Sequence, residues 1–282
     1  MTTIIDTIKQ RKSIRTFETN KISNEHLLQL QDYIDDEENL VGPLGRKCRV
    51  ELIQIKNNVS DKGIKLGTYG FIKNHQGYLV GIIENTKMDL VEFGYIFEKV
   101  ILFATEIGIG TCWIGGTFNR NSFSKEIGVS DNEFIPCITP IGYAKEKQRL
   151  FDKTLRYVTK ADNKKSWEEL FFYEDFETPF LTQQAPEFEI PLEMVRLGPS
   201  ASNKQPWRIV FCKTTKQFHF YLNHTPNYNK LGFDMQLIDI GIAMSHFELS
   251  CTEVGNQGQW NIANPGVRVP NEHMEYIISW VY

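Results

Sequence analysis

Phe93-Gly94-Tyr95-Ile96-Phe97-Glu98 and Ile240-Gly241-Ile242-Ala243-Met244-Ser245 open two apolar stretches that run in parallel through the chain. A constant offset of 147 aligns Gly94 with Gly241, Thr105 with Thr252, Glu106 with Glu253, Gly108 with Gly255 and Trp113 with Trp260. In the first stretch Phe93, Ile96, Phe97, Val100, Ile101 and Ala104 recur at helical spacing, which predicts a helix over about Leu90 to Ile107. Gly108-Ile109-Gly110 ends it as glycine commonly ends helices. Landmarks outside the helices agree as well. Gly42-Pro43 precedes the strand expected at Arg49 to Lys56, and Gly198-Pro199 precedes the one expected at Arg208 to Cys212. A strand closing near Tyr143 matches the final one, Tyr276 to Tyr282. Agreement at helical and non-helical positions together points to an internal repeat.

Two copies of one α+β unit in one polypeptide suggest a fused homodimer whose two-fold axis has become internal. The expected organisation is a first repeat over 1–143, a connector over 144–190 and a second repeat over 191–282. Further elements fill it in: a helix over Thr3 to Lys12, a second helix capped by Ser23, strands at Gly77 to Glu84, Thr111 to Ile114 and Ile135 to Ile141, and a helix from Pro191 to Leu197.

The halves have diverged where polar residues gather. Gly198 to Trp207 reads GPSASNKQPW, with hydroxyl and amide side chains pinned between prolines, so it is expected to be stiff and extended. The first repeat has only LGRKC there. Conversely, Arg11-Lys12-Ser13-Ile14-Arg15 opens the first repeat without a counterpart before residue 191. Each half carries what the other lacks, so both stretches could serve one ligand. On a continuing helix Arg11 and Arg15 would share a face. The alternatives are plain ones: an ordinary helix-to-strand turn, and a solvated helix end. Gly115-Gly116 permits close backbone approach or is a simple tight turn. Trp113, Trp207 and Trp260 read as core rather than stacking residues.

The chain has 282 residues, 41% hydrophobic, 23% charged and 12% aromatic, with a net charge of −4. Those values fit a soluble globular protein and argue against general binding of nucleic acid or membrane surfaces. No apolar run approaches the roughly 20 residues that span a bilayer. Met1 to Asp6 lacks a basic segment followed by an apolar one, so no signal peptide is expected and the cytoplasm is the expected location. Five separated cysteines without a CxxC pair or zinc spacing read as reduced core thiols. Neither a GxSxG elbow nor a strand-borne GxGxxG is present.

Arg11 to Phe17 resembles the RRSxRxF opening of the FMN-dependent nitroreductases. Gly198 to Trp207 resembles their PSxxNxQPW loop, Asp239 to Met244 their DIGIAMQN helix start, and Cys112 to Phe118 the glycine-containing turn that faces the flavin. The single-chain, internally duplicated branch of that family is the nearest in plan, with the motifs in the same order. The resemblance implies an α+β, nitroreductase-like fold of mainly antiparallel sheets flanked by helices, its two tandem repeats forming an internal pseudo-dimer. It implies one FMN per chain, bound without a covalent link, with NAD(P)H as co-substrate. Arg11, Lys12, Ser13 and Arg15 would face the phosphate and pyrimidine side. Pro199, Ser200, Ala201, Ser202, Asn203 and Gln205 would close over the cofactor from the other half. Gly115 and Gly116 would present backbone amides near flavin N5, Lys164 would add a phosphate contact, and Tyr69 would lie near the ring system. The implied reaction is ping-pong transfer of a hydride from NAD(P)H through FMN to a small nitro, quinone or other aromatic acceptor, without a protein nucleophile or metal. A flavin-binding or sensor protein without turnover, and a related flavin reaction such as reductive dehalogenation, are the alternatives. A fused dimer is expected to be self-sufficient as a monomer.

Overall fold

A computed structural model of the chain describes residues 2–55, 72–84, 86–145 and 163–282. Tyr69 and residues 146–162 of the connector lie outside those residues. The first repeat runs α1 (Ile4–Gln10), α2 (Asn24–Asp35), β1 (Arg49–Gln54), β2 (Gly77–Glu84), α3 (Lys87–Glu106), α4 (Arg120–Ile127), β3 (Glu133–Phe134) and β4 (Ile138–Ile141). After it come the short α5 (Trp167–Leu170) and β5 (Phe171–Tyr173), then α6 (Glu189–Leu197), β6 (Trp207–Cys212), β7 (Gln217–Asn223), α7 (Met235–Glu253), β8 (Gln259–Asn261) and β9 (Met274–Val281).

Each repeat builds its own sheet. In the first, β2 is central and pairs antiparallel with β1, β3 and β4. In the second the order is β5-β6-β7-β9-β8, antiparallel except where β5 joins β6 in parallel. The segment between the repeats thus lends an edge strand to the second sheet. β2 is buried from Gly77 to Ile83, because its seven apolar or small residues are covered on both faces.

Helices α3 and α7 cross at the centre of the molecule, and the repeat explains how they come so close. A Cβ placed on Gly241 would lie 1.9 Å from the Val91 carbonyl oxygen and 2.8 Å from Gly94 Cα. One placed on Gly94 would lie 2.1 Å from the Ile238 carbonyl oxygen. The two glycines that the offset of 147 makes equivalent therefore meet each other at the crossing. Only glycine allows two helix backbones this near. Around them one continuous core takes Phe93, Ile96 and Phe97 from the first repeat and Ile238, Met244 and Phe247 from the second. The helix exits repeat too: Gly108 and Gly255 both stop their helices with left-handed φ, +82° and +86°. A capping box of Thr86 and Asp89 starts α3, and Asp234 caps α7.

α1 ends at Gln10 with Arg11 as its cap, close to the end expected near Lys12, so the basic stretch is not a continuing helix. Ser13 instead bridges Thr111, and the Ile14 N–H donates to the Thr111 carbonyl at 2.7 Å. Tertiary pairing to a neighbouring segment outweighs the helix propensity of this short run. The polar loop is also not extended. Ala201–Asn203 forms a 3-10 turn, and Ser202, Asn203 and Gln205 take φ of +50°, +54° and +47°. Thr111 to Ile114 makes isolated bridges to Ser13 and Ile138 rather than a continuous strand.

Candidate functional site

The redirected basic stretch creates one wall of a cavity of about 530 Å³. In an extended segment alternate side chains face one way. Arg11, Ser13 and Arg15 accordingly line the cavity, while Lys12 is exposed and Ile14 packs against the smaller core. A helical face and an extended one both place Arg11 and Arg15 on the same side, so the pair survives the change of period. The facing wall comes from the second repeat: Pro199 to Asn203 of the polar loop, and Met235, Ile238, Asp239 and Ile242 on the first turns of α7. Lys164 enters from the segment between the repeats, and Cys112 to Thr117 brings Gly115 and Gly116. Tyr228 and Leu231, from the loop ahead of α7, give the mouth an apolar side.

Positive charge converges here. Arg11 is held by a distant ion pair to Glu98, 3.7 Å, and its Nη1 is buried with no hydrogen-bond partner among the described residues. Lys164 Nζ donates to the Gly198 carbonyl at 2.6 Å and towards Asn203 Oδ1 at 3.4 Å, both neutral acceptors. Burial, then the neighbouring Arg11 and Arg196 guanidinium groups, push the Lys164 amine down to about 7. Such a depressed ammonium marks a place that would gain from an anion.

Glu98 organises the back of the site. Fully buried on α3, it accepts 2.7 Å from Trp113 Nε1 through one oxygen and pairs with His246 Nε2 at 2.9 Å through the other. His246 Nδ1 faces the Met194 carbonyl at 2.8 Å, so that nitrogen carries a proton. A single carboxyl thereby ties Arg11, the Trp113 turn and the second repeat's helix together.

The glycine turn is braced by Arg120. Its guanidinium donates to the carbonyls of Gly115, Ile135 (3.0 Å) and Pro136 (3.1 Å) and stacks on Phe118 at 4.6 Å. A Cβ on Gly115 would press on Cys137 Sγ and Met235 at 3.1 Å, whereas one on Gly116 would meet nothing nearer than Leu231 at 3.8 Å. Gly116 therefore leaves open space on the cavity side.

Gln205 sits apart from its expected place over the ligand. It is buried, its Oε1 accepting the Lys165 N–H at 2.8 Å and its Nε2 donating to the Asn203 carbonyl at 3.2 Å, and it ties the loop to the connecting segment. Ser200 Oγ accepts the Gln205 N–H at 2.8 Å, fixing the turn from inside. Sequence reasoning did not single out Glu98, Arg120 or Asp239. Only the last had a signal, as an acid inside the helix-start motif.

Three comparisons bear on what this site is. The family model described as "Putative TM nitroreductase" matches residues 3–251. A solved "putative nitroreductase" from Thermotoga maritima is 20% identical, covering 99% of this chain and 93% of that one with a TM-score of 0.61, which supports a common fold. A nitroreductase with bound FMN from Desulfitobacterium hafniense is 20% identical over 52% of this chain and 92% of that one, TM-score 0.44. An FMN-dependent nitroreductase from Clostridium difficile is 21% identical over 51% and 88%, TM-score 0.41. No curated protein sequence matches the chain.

Proposed function

Because the chain belongs to the "Putative TM nitroreductase" family, we propose that it is an FMN-dependent NAD(P)H oxidoreductase acting on a small nitro, quinone or other aromatic acceptor. The observation that carries this reading is the convergence of Arg11, Arg15 and Lys164 on a cavity that the polar loop Pro199 to Asn203 and the apolar Met235, Ile238 and Ile242 also line. The residues suit the cofactor. Among the described residues, a buried guanidinium nitrogen has no partner and Lys164 donates to neutral acceptors, which leaves positive charge for a phosphate. A volume of about 530 Å³ lies within the range of cofactor pockets. When bound, FMN supplies the two-electron transfer chemistry between nicotinamide and acceptor.

The chain's own residues bind, orient and exclude water. Arg11, Ser13, Arg15 and Lys164 hold the phosphate and the pyrimidine edge. Cationic groups beside that edge also favour the more negative, reduced form of the cofactor. Pro199 to Asn203 close over it from the second repeat, with Gln205 as the support of that loop. Gly115 and Gly116, held by Arg120, present backbone rather than side chain to the ring. Tyr228, Leu231 and Met235 form the apolar side against which a planar acceptor would lie dry. One cofactor per chain, a monomeric state and a cytoplasmic location complete the proposal.

The test is reconstitution with FMN followed by absorption spectroscopy, then oxidation of NADH and NADPH with quinone and nitroaromatic acceptors. One flavin per chain with turnover is the expected result. A yellow protein inert with both nicotinamides would make it a flavin-binding protein without turnover. Failure to take up FMN would overturn the reading.

A further inference from the structure

The repeat offset of 147 makes Glu92 on α3 and Asp239 on α7 counterparts, and both hold the Gly-Pro loop of their own repeat. Glu92 is fully employed. One oxygen accepts the Leu44 N–H at 2.5 Å and the other the Arg46 N–H at 2.7 Å. The loop lies directly on the carboxylate, since a Cβ on Gly42 would stand 2.7 Å from Glu92 Cδ. Asp239 is one methylene shorter and does half as much. Its Oδ1 accepts the Ala201 N–H at 2.9 Å, and its Oδ2 is buried with no hydrogen-bond partner among the described residues. Gly198 has also left its acid: a Cβ there would meet the Val195 carbonyl at 2.9 Å.

The two environments differ in one further respect. Asp239 lines the cavity and Glu92 does not. A buried carboxyl oxygen without a partner is costly and calls for an explanation, and beside a cavity a bound group that satisfies it is one.

We propose that Asp239 is a ligand-binding residue whose second carboxyl oxygen, released by the backbone, carries a proton and donates it in a hydrogen bond to an acceptor atom of the bound flavin. The proposal rests on the flavin reading above. Oδ1 is committed as an acceptor, so the proton resides on Oδ2. Burial raises the Asp239 carboxyl well above the ordinary carboxylate range, more than the Ala201 N–H and Lys164 lower it. Among the described residues, the other titratable groups that bear on Asp239 are Lys164 from the connecting segment, Asp234 at the start of its own helix and Cys137 from the first repeat. A neutral acid beside cations gives the site a donor where a carboxylate would repel an electron-rich ring.

The experiment is FMN titration by flavin fluorescence from pH 6 to 9 with the full chain, Asp239→Asn and Asp239→Ala. The Asp239→Asn change keeps the Oδ1 acceptor for Ala201 and supplies a donor in place of Oδ2–H, without titrating. At pH 6 this variant is expected to bind within about threefold of the wild type and the Asp239→Ala variant about tenfold more weakly or worse, one hydrogen bond's worth. Any pH dependence of the ratio of the two affinities should run towards weaker wild-type binding as pH rises, because only the acid can ionise. The titration of the phosphate is common to both proteins and cancels in that ratio; Lys164 is coupled to Asp239, so the comparison is repeated in a Lys164→Met background. A wild type that gains on Asp239→Asn as pH rises, an Asp239→Asn variant about tenfold weaker throughout, or an Asp239→Ala variant equal to wild type each overturns the proposal. Wild-type protein that binds no FMN would instead overturn the flavin reading itself.

Discussion

Replacing Gly241 by alanine sets two general effects against each other, and the structure decides between them. In an exposed helix interior the change would stabilise by about 1 kcal/mol, since alanine is the better helix former. At the α3–α7 crossing the new Cβ would stand 1.9 Å from the Val91 carbonyl oxygen and 2.6 Å from the Tyr95 nitrogen. Both obstacles are backbone, so no rotamer change relieves them. Ordinary contact begins at 3.4 Å, and the helices must part by about 1.5 Å to reach it. Parting loosens Phe97, Ile238 and their neighbours in the shared core. Overpacking typically costs about 1–3 kcal/mol, and backbone obstruction lies at or beyond its upper end. After the propensity gain, a net loss of about 2 kcal/mol or more is expected. Urea unfolding followed by circular dichroism reads this as a lower midpoint at unchanged slope. Gly116→Ala is the matched control: the nearest neighbour of its Cβ would be 3.8 Å away, so the midpoint should hold while FMN affinity falls. A Gly241→Ala midpoint equal to or above wild type would refute the argument that the crossing needs glycine.

Other outcomes follow from the site. Arg11→Ala should weaken FMN binding by about tenfold to a hundredfold, the scale of a charge-assisted hydrogen bond, while Arg268→Ala, on the exposed surface, should not; equal Kd values in the two variants would count against the phosphate assignment. Lys164 sits at about 7 in the folded protein, below its ordinary 10.5. Between those values the unfolded chain binds the extra proton, so stability of the empty protein should rise with pH across that window and Lys164→Met should flatten the rise. FMN affinity should run the other way, falling as pH climbs through about 7, because only the protonated amine attracts phosphate. Glu98→Ala leaves His246, Trp113 and Arg11 without their shared acceptor and should cost about 3–5 kcal/mol in thermal or urea unfolding, as breaking buried pairs does.

How far the sequence carries depends on what each signal encodes. Helical periodicity and glycine exits are local, so α3 and its twin α7 are legible with their glycine exits, although α3 starts at Lys87, a turn before the expected Leu90, and the offset of 147 anticipates which glycines correspond. Why they correspond is not legible, because contact between Gly94 and Gly241 is a property of the crossing. RKSIR shows the limit of local reading: pairing with Thr111, almost a hundred residues away, replaces a helical face with an alternating one. The loop after Gly198 reads as extended from its prolines alone. Its left-handed φ at Ser202, Asn203 and Gln205 is held by bonds to Ser200 and Lys165 that prolines do not predict. Glu98, Arg120 and Asp239 escape notice for a related reason. Isolated charges in amphipathic stretches read as surface, and only packing reveals that these are withdrawn from solvent and shared.

The meeting of Gly94 with Gly241 also sets a timetable for synthesis. The helix that covers the first repeat's central face is encoded 147 residues after it, and at roughly 5–20 residues per second a ribosome needs about 7–30 s to deliver it. Throughout that interval α3 has emerged with Val91, Gly94 and Glu98, which meet the second repeat's helix in the folded protein, still without that partner. A two-chain ancestor would have had to find that partner by diffusion; the fused chain is guaranteed one, but only after a wait. Nascent chains halted between the repeats are therefore the form of this protein that most needs a chaperone, and the connecting segment is where slow decoding would lengthen the exposure.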